Sequence, residues 1–220
     1  CVKPDKNIVR NSTREFNAYA TPFVLWAGIA AISAYADRWV LQGLFGEGEG
    51  GAYTAIYQIA NAPITLLIGM INQFIIPIVF ERAGALTSIA QTKRSARLLY
   101  QTVIVSIIVM LPIITTSYFF SEALIKLLTS PVFALHHQVL WIIILGLVFF
   151  NIGQLLVSKG LYCNQPRIYI WPKAIQAGSF LILAYFLAKS FGISGIAVAL
   201  CGSSLIYLVA ILIVNNRLTR

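Results

Sequence analysis

Asp37 and Arg38 stand side by side in a stretch of small and apolar residues that runs from about 18 to 44. Ionisable side chains are expensive in hydrocarbon, so within a membrane span they turn toward protein or a water-filled cavity. Neighbours on a helix point about 100° apart, so these two do not make an ideal mutual pair and each faces its own partner. Arg38 has the chemistry to hold an anion such as a diphosphate, and Asp37 to tune that arginine or take part in ion coupling. The alternative is structural: Arg38 snorkels to water near the outer interface while Asp37 caps a neighbouring helix.

A second pattern consists of Thr54, Gln58, Asn61, Thr65, Gly69 and Asn72. At helical spacing these fall within one arc of about 80°, a polar stripe on an otherwise apolar helix, and the expectation is that it faces inward. Amides and hydroxyls in such a row suit a hydrophilic path past which sugar hydroxyls travel, or they hold helices together by hydrogen bonds. Asn151, Gln154 and Ser158 make a shorter polar face of the same kind beside Lys159, expected to line a cytoplasmic vestibule. The substrate-binding candidates are therefore Arg38, Asp37, Gln58, Asn61, Thr65, Asn72, Asn151 and Gln154.

Enzymatic chemistry is not what these residues suggest. The seven acids are scattered, and the only close pair is Glu47 with Glu49 in a glycine-rich run. A phosphate-binding glycine loop and a nucleophile elbow are both missing from the sequence. Cys1, Cys163 and Cys201 have no metal-ligand or redox spacing, so no metal and no cofactor is expected. His136 and His137 fall at the outer end of a span, where a wetted histidine is the plainer reading than a proton relay.

The elements that must position these groups follow from composition. Of the 220 residues, 59% are hydrophobic and 10% charged, and the mean hydropathy is +0.82. A soluble domain carries about a quarter charged residues, so a membrane protein is indicated. Six apolar runs are long enough to cross a bilayer, at about 18–44, 52–80, 98–120, 134–158, 171–189 and 193–214. They lack the alternation of barrel strands, which predicts an all-α bundle. Pro63, Pro77 and Pro112 fall inside two of these runs and are expected to bend them.

The basic residues sort by side. With the N-terminus cytoplasmic, the inner segments hold Lys3, Lys6, Arg10, Arg14, Arg82, Lys93, Arg94, Arg97, Lys159, Arg167, Lys173, Arg217 and Arg220. Only Lys126 and Lys189 fall outside, and Arg38 lies within a span. This asymmetry places both ends in the cytoplasm and accounts for the net charge of +9 without nucleic acid. The expected organisation is a segment 1–17, a transmembrane lobe 18–214 and a tail 215–220. Position 1 is Cys and the methionines are Met70 and Met110, which suggests a chain cut from a longer one with an N-terminal half before it.

The run Asn17-Ala18-Tyr19-Ala20-Thr21-Pro22, then Ala36-Asp37-Arg38-Trp39-Val40-Leu41, the turn into Gly51-Ala52-Tyr53, and Gln73 with Pro77 resemble the seventh and eighth helices of polysaccharide flippases. Those belong to the superfamily of multidrug, oligosaccharidyl-lipid and polysaccharide exporters. Lys159-Gly160-Leu161-Tyr162, Asn164-Gln165-Pro166 and Phe191-Gly192-Ile193-Ser194-Gly195 are similar to the C-terminal region of that family.

The resemblance implies one of two lobes of about six helices each, working by alternating access. The implied partner is a lipid-linked (undecaprenyl-diphosphate) oligosaccharide, such as an O-antigen repeat unit for lipopolysaccharide, at a bacterial inner membrane. The Asp37–Arg38 pair would line the central cavity. An ion-coupled multidrug antiporter of the same superfamily and a non-transporting assembly subunit are the other readings.

Overall fold

A computed structural model describes residues 35–83, 89–163 and 165–218, with positions 20, 21, 24, 27–29 and 31. The expected segment 1–17, most of the first span, part of the basic connection around 84–88 and the last two positions lie outside the described residues.

Every regular element among the described residues is helical. Helix α1 covers 35–45, α2 is Glu47–Ala83 and α3 is Ile89–Leu128. A short 3-10 turn, Pro131–His136, leads into α4, Val139–Tyr162, and another, Pro166–Tyr169, into α5, Ile170–Arg217. Four helical stretches are long and apolar enough to cross a membrane: Glu47–Glu81, Arg94–Leu128, Val139–Tyr162 and Pro166–Arg217.

The expected Gly46–Gly51 loop is almost absent. Only Gly46 breaks the helix, with φ of 86°, a left-handed value that glycine adopts at little cost. Helix α2 begins at once, and Glu47 and Glu49 occupy its first turn, where acidic groups complement the helix dipole. A sequence reading takes a run of glycines as a turn, but a turn needs only one residue with positive φ.

The 48-residue α5 is not straight. Gly192 has φ of 58° and ψ of −134°, and the chain folds back there. A side chain at Gly202 would meet Leu183 at 3.6 Å, and one at Gly195 would run into the carbonyl of Leu187, so the two limbs lie antiparallel. A straight helix of that length would extend about 72 Å, against a hydrocarbon layer of about 30 Å. We label the limbs α5a (170–191) and α5b (193–217).

Helix α4 is the centre of the bundle. Of its most apolar window 61% is buried, against 17% for α2 and 22% for α3, so those two face outward over most of their surface. Gly146 and Gly153 allow α4 to touch α5b closely: a Cβ at Gly146 would lie 3.0 Å from Cys201 Cα, and one at Gly153 would strike the Tyr207 ring. Small residues at such crossings are how membrane helices gain contact area where the solvent is itself apolar. The small residues of the first span show no comparable contact at Gly28, around which nothing described lies within 4 Å.

Helix α5b carries on past the predicted span end at 214 to Arg217, and Asn215, read from sequence as the start of a tail, is fully buried. Likewise α3 extends well beyond 98–120 at both ends and changes direction at Phe120 (φ −119°, ψ 20°).

Candidate functional site

Helix α4 displays Asn151, Gln154 and Ser158 on one side, as their spacing of three and four requires. That side opens on a cavity of about 550 Å³ whose opposite wall is α2, from which Ile68, Asn72, Ile76 and Phe80 project. The end is closed by Pro166, Tyr169 and Ile170 of the turn that leads into α5. Two polar faces predicted separately, one on the second span and one on the fourth, thus meet through Asn72, Asn151, Gln154 and Ser158.

These groups are uncharged. Asn151 donates to the carbonyl of Leu147 (2.8 Å), and Tyr207 donates to Gln154 Oε1 at 3.4 Å. Tyr207 also stacks on the cavity residue Phe150, with ring centroids 5.5 Å apart. Most of the lining is apolar, and the carboxamides of Asn72, Asn151 and Gln154 are groups in it that can bond hydroxyls, beside rings that can take the C–H faces of a polyhydroxyl molecule.

Behind this wall lies a polar network that the sequence did not disclose. Lys159 and Lys173, both read as residues of inner connections, are buried to 2% exposure inside the bundle. Lys159 Nζ donates to the backbone carbonyl of Asn215 (2.9 Å), and Lys173 Nζ stands 4.2 Å from the ring centroid of Phe150 and 5.5 Å from that of Tyr207. Asn215 donates to the carbonyl of Leu156 (3.0 Å) and accepts from Tyr169, whose hydroxyl accepts from the backbone N–H of Gly160 (3.0 Å). Gly160 has to be glycine, because a Cβ there would overlap the Tyr169 ring. The cavity's end wall is therefore tied to α4 and α5b at once.

Asp37 and Arg38 follow the expected divergence. Asp37 is buried at 4% exposure, accepts the backbone N–H of Arg38 (2.8 Å) and lies next to the hydroxyl of Tyr53. The Arg38 guanidinium goes elsewhere, 5.6 Å from the Tyr35 ring centroid and 5.5 Å from that of Tyr57. Its Nε is buried and makes no hydrogen bond among the described residues. Arginine held between two aromatic faces keeps its charge and leaves its donors for an anion.

The stripe on α2 does not face the chain's own core. Tyr53, Ile56, Ala60, Ile64 and Ile68 are buried, whereas Gln58, Thr65, Gly69 and Asn72 are exposed and Thr54 and Asn61 half-buried. Periodicity fixes the angle between residues of one helix; which neighbour an arc faces is decided by how its side chains fit the adjoining helices. Thr54 donates to the carbonyl of Gly50 (2.7 Å) and Thr65 to Asn61 Oδ1 (3.1 Å), so both find partners along their own helix. Gln58 borders a separate cavity of about 700 Å³ with Pro63, Pro112, Thr116 and Ser117. The stripe thus touches two cavities and an exposed middle, and does not line one continuous path within the chain.

Each of the two histidines meets a residue of a neighbouring helix. His137 Nδ1 and Ser121 Oγ share a hydrogen bond of 2.9 Å beside the bend at Phe120, and His136 Nε2 lies 3.8 Å from Glu49 Oε2.

Comparison with protein-family profiles, with curated proteins and with solved structures gives no match to this chain.

Proposed function

We propose that this chain is one lobe of a membrane transporter that moves a lipid-linked oligosaccharide repeat unit from the inner to the outer leaflet of a bacterial plasma membrane. The reading rests on one observation above the others: Asn72, Asn151, Gln154 and Ser158 converge from two helices on a cavity beside the aromatic Phe150–Tyr207 pair. Sugars would pass along those uncharged amides while the polyprenyl tail stays in lipid. Arg38, held between Tyr35 and Tyr57 with donors to spare, suits the diphosphate.

In this reading the first span, of which α1 is the described part, makes six crossings together with α2, α3, α4, α5a and α5b, and both chain ends lie in the cytoplasm. A second lobe would complete the cavity on the exposed flank of α2, and alternating access between lobes would move the cargo. Among the described residues no carboxylate borders the cavity to match the charge of a cationic drug, whereas its amides can bond sugar hydroxyls.

The exposed Asn61–Thr65 pair favours a second reading for the outer flank of α2, a surface to which another protein's helix is glued in an assembly.

The test is transport in the cell of origin. Arg38→Ala and Gln154→Leu should each lower surface polysaccharide and raise lipid-linked repeat units in the inner leaflet, with the protein still in the membrane. Unchanged polymer display in both variants overturns the proposal.

A further inference from the structure

At the basic end of the bundle, on the side away from the cavity just described, α5a and α5b diverge around a groove of about 610 Å³. Its floor is apolar, formed by Ile168, Ile175, Ile213 and Val214 with Pro172 and Ala210. Its rim carries Arg217, Gln165 and Trp171. Trp171 is 75% exposed and Arg217 is exposed, with no salt bridge among the described residues.

This combination of groups belongs to the boundary between hydrocarbon and headgroups. Tryptophan is enriched there because its ring is apolar at one end and polar at the other. Arginine there meets phosphate as a planar fork of donors, and an amide beside it can bond glycerol or ester oxygens. Below the rim the floor offers only hydrocarbon, from Pro172 and Ile175 on one limb and Ala210, Ile213 and Val214 on the other. A soluble anion would use the rim and leave the floor exposed to lipid, and an uncharged lipid would use the floor and leave Arg217 unmatched.

We propose that this groove binds one anionic phospholipid of the adjacent leaflet, its phosphate on Arg217 and its acyl chain along Ile175 and Ile213. The site is separate from the transport cavity and rests only on the chain lying in a membrane, so it stands or falls apart from the identity of any cargo.

The test uses the full chain with Trp26, Trp39 and Trp141 replaced by Phe, leaving Trp171 as the reporter. It is placed in phosphatidylcholine vesicles containing a minor fraction of brominated phosphatidylglycerol or of brominated phosphatidylcholine. A single interfacial arginine is worth a preference of roughly fivefold, so the brominated phosphatidylglycerol should quench Trp171 at about fivefold lower content. Arg217→Ala should remove that preference, Arg217→Lys should keep most of it, and Arg97→Ala, elsewhere on the basic end, should leave it intact. Ala210→Phe, which fills the floor and retains the arginine, should also weaken it.

Equal quenching by the two lipids, or a preference that survives Arg217→Ala, overturns the proposal. So does release of the quenching by soluble glycerol phosphate, which would mean an anion site without a lipid. Quenching lost as chains are crowded in the vesicle would put a second copy in the groove and overturn it as well.

Discussion

Tyr169 and Asn215 lie 46 residues apart and are joined side chain to side chain in the buried interior, where the phenolic hydroxyl donates to the amide oxygen. Tyr169 is also a wall of the α2–α4 cavity, so the last turn of α5b fixes the geometry of a site to which it contributes no lining residue.

Removing this link should be costly and non-additive. Asn215→Ala leaves the Tyr169 hydroxyl and the Leu156 carbonyl without that partner, and Tyr169→Phe leaves the Gly160 N–H and the Asn215 amide oxygen in the same state. A buried group deprived of its partner costs about 1–3 kcal/mol. Thermal unfolding in detergent should show each single variant destabilised on that scale, and the double variant less destabilised than their sum because the two share one bond. Strict additivity would place the residues in separate environments.

The fold-back of α5 depends on two glycines for different reasons. At Gly192 the backbone angles themselves are at issue, and a side chain there costs roughly 1–3 kcal/mol in strain. At Gly195 the obstacle is the Leu187 carbonyl, which is backbone and cannot rotate away. Gly195→Ala should therefore lower the unfolding temperature, whereas Gly178→Ala, with nothing described within 4 Å, should not. Equal effects would argue against a tight hairpin.

Cys163 lies between the spans, and burial pushes its thiol above the ordinary value while the nearby Lys159 ammonium opposes the shift. A raised value means less thiolate at any given pH. With Cys1 and Cys201 changed to Ser, the alkylation rate of Cys163 should rise at higher pH than that of a free thiol. Lys159→Gln removes the opposing charge and should move the profile higher still. A move to lower pH would separate the two residues.

Several of these features were legible beforehand and several were not. The helical class, the long spans and the polar face of α4 follow from composition and from spacings of three and four. Asn151, Gln154 and Ser158 act together for that reason. Lys159 and Lys173 were misplaced because a lysine near the end of an apolar run reads as a connection, and nothing local reports that the Pro166–Tyr169 turn packs back against α4. Asn215 reads as tail because the apolar run stops at Val214, yet the helix continues to Arg217. The periodicity of the α2 stripe is visible in the sequence but its facing is not, because within this chain the row from Tyr53 to Ile68 is the one that fits against the neighbouring helices.

Hydrophilic access to the α2–α4 cavity is the claim on which the transport reading depends most directly. In a chain with its three cysteines replaced by Ser, single cysteines at Asn72 and Gln154 should react quickly with a membrane-impermeant thiol reagent applied to inverted membranes. Cysteines at Leu66 and Phe74, on the same exposed helix as Asn72 but away from the cavity, should remain nearly inert. If the cysteine at position 72 reacts no faster than those at 66 and 74, the cavity holds lipid, and the proposed passage for sugars is contradicted.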